Sequence, residues 1–138
     1  MPSSPSRSRA RSDTSGCPTS PKSSCDGPQR LTPIVSIQNR YNVDDRRSES
    51  LVDLCEQEQM VFLPWAPIQN LDSNGIVHKL TQRYDATARQ IVLAWLLARS
   101  PSILPIPGTG SVSHLDANVA AAAIKLTMAD VASVTDNS

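Results

Sequence analysis

From residue 31 onward, short runs that are apolar at nearly every position alternate with longer runs in which apolar residues recur every three or four. Pro33-Ile34-Val35-Ser36-Ile37-Gln38 is short, β-branched and bounded by a proline, which predicts a strand buried on more than one face. Ser48-Glu49-Ser50 opens a helix in which Leu51, Leu54 and Cys55 follow at helical spacing, and Glu49 suits the positive end of the dipole. That helix ends near Gln59. Met60-Val61-Phe62-Leu63-Pro64 predicts a second strand, closed into a loop by Trp65-Ala66-Pro67.

The next unit carries the clearest punctuation. A short helix over 77–83 precedes Thr87-Ala88-Arg89-Gln90, which fits a capping box. Ala88, Ile91, Val92, Trp95 and Leu96 then fall on one face of a helix that Pro101 ends. Ser102-Ile103-Leu104-Pro105-Ile106-Pro107 predicts a third strand, short or irregularly paired because its prolines have no amide to donate. Gly108-Thr109-Gly110 leads into a helix near Ser113 with Leu115, Val119 and Ala122 on one side. A last helix starts at Thr127, where Thr127-Met128-Ala129-Asp130 is a cap signature and Leu126 is set to staple onto Val131.

Strands separated by helices imply βαβ units and a parallel sheet, an α/β fold. Three strands are too few to cover such a sheet and protect its edges, so the pattern reads as part of a larger α/β architecture.

Composition divides the chain in two. Residues 1–30 hold nine Ser, five Pro and five basic residues against two Asp, and too little apolar surface to offset chain entropy; a disordered leader is expected there, with a boundary near Leu31. Arg7, Arg9 and Arg11 among serines make only a brief Arg-Ser tract. The leader lacks the apolar face of a transit peptide and the apolar core of a secretory signal, so the cytoplasm is the expected location. Cys17 and Cys25 have no His nearby, and no spacing suits a metal. Thirteen basic residues balance thirteen acidic ones, which argues against a dedicated nucleic-acid binder, and no run approaches the length of a membrane span.

Candidate chemistry gathers where the strands end, as ligands do in parallel α/β folds. Gly108 and Gly110 would let backbone amides approach an anion, Thr109 and Ser111 add hydroxyls, and the following helix aims its N-terminus at the same place. That describes a phosphate site without a lysine, or a plain glycine-rich turn. Gln38 carries both a donor and an acceptor suited to another amide, or is tied to its own backbone. Trp65 stacks on a flat heterocycle or packs in the core. His114 sits on a first helical turn, and His78 reads as a surface residue and Cys55 as core. No Ser-His-Asp or Cys-His set can be assembled, and the residues by themselves reveal a cofactor-like pocket with no catalytic group.

Four segments carry a resemblance. Pro33 through Gln38 with Asn39-Arg40-Tyr41-Asn42, Cys55 through Phe62-Leu63-Pro64-Trp65-Ala66-Pro67, Gln90-Ile91-Val92-Leu93-Ala94-Trp95-Leu96-Leu97, and Ile106-Pro107-Gly108-Thr109 through His114-Leu115 to Asn118 resemble, in order, the C-terminal part of the aldo-keto reductase barrel. The resemblance covers about residues 31–138 and implies a partial (β/α)8 TIM barrel, roughly its last three βα units. It implies an NADP-dependent oxidoreductase that reduces a carbonyl to an alcohol, with nicotinamide dinucleotide and a small carbonyl compound as partners and no nucleic acid or membrane. By this resemblance Gln38 bonds the nicotinamide carboxamide and Trp65 stacks on its ring. Ala66 and Ile68 begin the loop over the pyrophosphate, and Gly108, Thr109, His114 and Asn118 meet the adenosine 2′-phosphate and adenine, with Gly110 and Ser111 completing that loop.

The chain departs from the family in two respects. Many members carry a Lys where Gly108 stands and an Arg where His114 stands, so the resemblance leaves NAD(H) open beside NADP(H). The family's catalytic Asp, Tyr, Lys and His have no matching positions, and Tyr41 and Tyr84 lie in the wrong motifs. The expectation is therefore a truncated or mis-framed reductase that keeps the cofactor rim and is inactive alone. The alternative is a non-catalytic nucleotide-binding or protein-interaction module of the same fold. Open strand edges would leave it marginally stable, aggregation-prone or dimeric.

Overall fold

The computed structural model describes residues 33–69 and 74–136; the leader expected over 1–30 lies outside them. Two parallel strands form the sheet, β1 (Ser36–Arg40) and β2 (Val61–Trp65), registered from Ser36 opposite Val61 to Arg40 opposite Trp65. β1 runs two residues beyond its predicted end at Gln38. Its pairing begins where the Val61 amide donates to the Val35 carbonyl at 3.0 Å. Pro33 cannot donate.

The predicted third strand shrinks to a parallel bridge between Ile103 and Phe62. The Phe62 amide donates to the Ser102 carbonyl (2.8 Å), and the Leu104 amide donates to the Phe62 carbonyl (2.9 Å). Pro105 and Pro107 then supply no further donors, as the sequence requires.

Five helices follow the pattern: α1 (Glu49–Gln57), α2 (Gly75–Tyr84), α3 (Ala88–Arg99), α4 (Val112–Ala120) and α5 (Met128–Asp136). Their ends are specified locally. Asn74 accepts from the Ile76 and Val77 amides (3.1 and 3.2 Å) at the start of α2. Thr87 and Gln90 form the complete capping box at the start of α3. At α5, Asp130 Oδ2 accepts from the Thr127 amide (3.3 Å) while Thr127 Oγ1 accepts from the Asp130 amide (3.2 Å).

The helix α1 lies against one face of the sheet, and the other helices pack on one another around the same core. Phe62 is fully buried on that face, and Tyr41 bridges from it to α3: its ring meets Phe62 edge-on and stacks on Trp95, each at 5.8 Å between centroids. Val52 and Cys55 of α1 and Ile91, Val92 and Leu96 of α3 complete this core, so Cys55 is core as predicted. A charged cluster borders it. Glu49 accepts from Tyr41 Oη (2.8 Å), Arg46 Nε (2.6 Å) and Arg99 Nε (2.5 Å), and Arg99 also reaches Asp53 (2.7 Å). Arg46 extends to the Thr135 carbonyl (3.0 Å), and Trp95 Nε1 donates to Thr135 Oγ1 (3.3 Å), so α5 is fastened from both sides.

The helix α4 forms where the sequence placed it, but its apolar side is left uncovered. Leu115 and Val119 are exposed and α4 buries no residue fully, while Ala122 falls beyond it in a 3-10 turn, Ala121–Ala123. The helix is attached through its polar side instead: Asn118 and the Ala117 carbonyl bond to α3.

Candidate functional site

The opposite face of the sheet is open. Strand alternation puts Ser36, Gln38 and Arg40 on one face with Val61, Leu63 and Trp65, while Ile37 and Asn39 share the helix-covered face with Phe62 and Pro64. Gln38 is exposed on this open face, two register steps before the Arg40–Trp65 pair. Trp65 is 43% exposed and therefore not core; the Arg40 guanidinium lies over its ring at 5.6 Å. Two residues named from sequence, Gln38 and Trp65, are thus brought to one face of the sheet, Trp65 at the carboxyl end of β2 and Gln38 in the middle of β1 rather than after it as the sequence suggested. Arg40, which sequence reasoning quoted only within a motif, joins them; the signal was its two-residue spacing from Gln38. It also reaches Gln69 Oε1 (3.2 Å) and pairs with Asp45 (3.3 Å).

Beyond Trp65 the backbone turns through an unusual conformation. Ala66 has a positive φ of 54°, a left-handed geometry that costs an L-residue about 1–2 kcal/mol. Its carbonyl accepts from Asn42 Nδ2 at 3.0 Å. Asn42 is itself buried, and its Oδ1 accepts from the Asp44 and Asp45 amides (3.0 and 2.9 Å). Asn42 therefore ties the loop after β1 to the loop after β2. Ile68, assigned to the same loop, is half-buried against the core, so its side chain is at least partly a packing element.

The third segment brings Gly108, Thr109, Gly110 and Ser111 to the same end of the sheet, since Ile103 pairs beside Phe62 and the chain runs parallel to β2. Gly108, Thr109 and Gly110 are exposed. Neither glycine has a positive φ, and a Cβ built on either meets nothing within 4 Å. No turn geometry or internal packing demands glycine here; the space in front of the backbone is simply left free. Thr109 Oγ1 accepts from the Ser111 amide (3.2 Å), and Ser111 begins α4 without a side-chain cap, so its first-turn amides are not taken by that side chain. His114 is exposed on α4.

Asn118 is held by a residue the sequence reading assigned only to a cap. Arg89 Nε donates to Asn118 Oδ1 (2.9 Å), and Arg89 Nη2 donates to the Gly108 carbonyl (3.1 Å). Asn118 Nδ2 is buried with no hydrogen-bond partner among the described residues, which leaves a donor oriented and unsatisfied. An oriented carboxamide donor, exposed loop backbone, hydroxyls and an exposed aromatic face are groups a nicotinamide dinucleotide needs, and the residues present fit one.

The remaining candidates lie elsewhere. His78 is exposed on α2. Both tyrosines of the chain are committed on the helical side. Burial, then the hydrogen bond to Glu49, pushes the Tyr41 hydroxyl well above the ordinary phenol range. Tyr84 Oη donates to Asp130 Oδ2 at 2.5 Å.

The Aldo/keto reductase family matches the chain over residues 28–137. An oxidoreductase of Schizosaccharomyces pombe is 43% identical over 101 residues, spanning 71% of this chain and 33% of that protein. Pyridoxine 4-dehydrogenase of Escherichia coli is 35% identical over 100 residues, spanning 71% and 35%. Among solved structures, a thermostable aldo-keto reductase bound to the inhibitor epalrestat superposes with a TM-score of 0.68 at 28% identity, covering 77% of this chain and 40% of that one. An aldo-keto reductase of Bombyx mori in complex with NADP gives 0.66 at 20% identity, covering 74% and 36%, a likeness of fold. This chain belongs to the aldo/keto reductase family. It spans about a third of the length of these curated relatives, and its described residues form part of the (β/α)8 barrel, as the resemblance implied.

Proposed function

We propose that this chain supplies the dinucleotide-gripping rim of an NADP-dependent aldo/keto reductase, with Gln38 and Trp65 at the nicotinamide and Gly108, Thr109, Gly110, Ser111, His114 and Asn118 at the adenosine end. Ala66 and Ile68 lie between them, beside the pyrophosphate. The observation that carries this reading is the buried, oriented and unsatisfied Asn118 Nδ2 beside a loop whose glycines leave open space. An unpaired buried donor costs about 1–3 kcal/mol, a penalty that an acceptor on a ligand removes.

The cofactor, when bound, supplies the hydride for reduction of a carbonyl to an alcohol. This chain's share is binding and orientation: the exposed Trp65 face supports a flat ring, and the Gln38 amide meets a carboxamide through a donor and an acceptor. The proton is not this chain's to give. Tyr41 is buried against Phe62 and Trp95, and Tyr84 is bonded to Asp130, so neither faces the open side of the sheet. We therefore infer that the 138-residue polypeptide binds the dinucleotide without reducing carbonyls.

Calorimetric titration with NADPH, paired with an NADPH-consumption assay on nitrobenzaldehyde, tests both parts. Saturable binding without turnover is the expected result. No binding at millimolar dinucleotide contradicts the rim, and turnover contradicts the inactive reading. A second reading, an interaction module, draws on the apolar residues Val61, Leu104 and Ile106, which are exposed on or beside the open face. It predicts association of the purified chain without dinucleotide binding.

A further inference from the structure

Residues 101–124 include the whole phosphate loop and α4 yet contain no Lys or Arg. The positive charge at this loop comes from another element. Arg89, in the first turn of α3, donates through Nε to Asn118 Oδ1 (2.9 Å) and through Nη2 to the Gly108 carbonyl (3.1 Å). Its neighbour Gln90 donates through Nε2 to the Ala117 carbonyl (3.3 Å). The bond to Oδ1 decides which way the Asn118 carboxamide points, and so makes Nδ2 the unsatisfied donor. The bond to Gly108 sets where the loop begins. A guanidinium has more donors than these two bonds use, and it stays charged at every accessible pH.

We propose that Arg89 is the residue that determines whether this rim prefers a dinucleotide carrying an extra phosphate on its adenosine ribose. The inference rests on the dinucleotide reading above and adds to it the group that supplies the charge. Two places where the resemblance leads one to look for a cation hold Gly108 and His114 instead. Arg89 brings a permanent cation to the same loop from the side, bonded to its first residue and to Asn118 of the helix that follows. A guanidinium suits a phosphate dianion by charge and by its fork of donors. NADPH and NADH differ only in that phosphate, so a charge acting there separates them. A clamp that merely joined α3 to α4 would affect both alike.

The test titrates NADPH and NADH by calorimetry into the full chain, the Arg89→Gln variant and the Arg89→Lys variant, with far-UV circular dichroism confirming each fold. The expected result for Arg89→Gln is a loss of NADPH affinity about tenfold or more greater than the loss of NADH affinity, since hydrogen bonds to charged groups are the strong ones. Arg89→Lys keeps the charge and part of the preference. Equal losses for both dinucleotides, or no loss for either, overturn the proposal. The unaltered chain gives an independent readout: adenosine 2′,5′-bisphosphate should compete for the site at least about tenfold better than adenosine 5′-monophosphate, and equal competition overturns the proposal. If the unaltered chain binds neither dinucleotide, the dinucleotide reading falls and takes this inference with it. If it binds NADPH but Arg89→Gln changes nothing, this inference alone falls.

Discussion

Asn42 Nδ2 donates to the carbonyl of Ala66 at 3.0 Å, joining two loops 24 residues apart at the point where Ala66 adopts its left-handed backbone. The bond holds the residue that follows Trp65, and Asn42 itself is buried. Asn42→Ala should therefore lower unfolding free energy by about 1–3 kcal/mol. Ala66→Gly should raise it by up to about 1 kcal/mol, because glycine adopts positive φ without a Cβ clash. Urea unfolding of both variants checks the two signs; a neutral Asn42→Ala would mean the bond does not hold the loop.

Stability should fall at both ends of the pH scale. Burial raises the Glu49 carboxyl, but hydrogen bonds from Arg46, Tyr41 and Arg99 together outweigh it and leave the group below its ordinary value of 4.5. Asp130 is held below its ordinary 3.8 by hydrogen bonds from Thr127 and Tyr84. A depressed carboxylate contributes its full stabilisation above its unfolded value and loses it as pH falls through the folded one. Tyr41 is raised, so its contribution is complete below pH 10.0 and is lost as pH climbs beyond it. Melting temperature against pH should drop below about pH 4.5 and above about pH 10. Glu49→Gln should flatten the acid limb.

Gly108 faces open space and has an ordinary backbone conformation. Gly108→Ala should leave unfolding free energy within about 0.5 kcal/mol of the parent. Dinucleotide affinity should nonetheless fall severalfold, since a methyl group would stand where ligand and backbone approach. Loss of stability with affinity intact would reverse this assignment.

Arg40 covers part of the Trp65 ring. Arg40→Ala should cost no more than about 1 kcal/mol, the scale of an exposed cation–π contact. It should change the intensity of Trp65 emission, which is separable from that of the fully buried Trp95 by its accessibility to iodide. Unchanged emission would mean the two side chains do not meet in solution.

What the sequence revealed was local. The Thr87–Gln90 box, the Thr127–Asp130 cap and the apolar face of α3 are written within one or two helical turns, and each forms as read. The third strand fails where its prolines say it must. Periodicity placed α4 but not its cover, because an apolar stripe records amphipathicity and not which body covers it; Leu115 and Val119 are exposed. Gln38, Trp65, Gly108 to Ser111 and His114 were legible from strand ends and residue type, and Ala66, Ile68 and Asn118 through family motifs, but their connections were not legible. Arg89 meets Asn118 across 29 residues, and Arg40 meets Trp65 across two strands, contacts that exist only once the helices and sheet are assembled.

The central claim is that the open end of the sheet holds a nicotinamide dinucleotide against Trp65. Titrating NADP+, which does not absorb tryptophan emission, into the full chain and into Trp65→Phe tests it directly. The account predicts saturable quenching in the parent that disappears in Trp65→Phe, where the buried Trp95 is the remaining emitter. Quenching that persists unchanged in Trp65→Phe, or none in the parent, would contradict it.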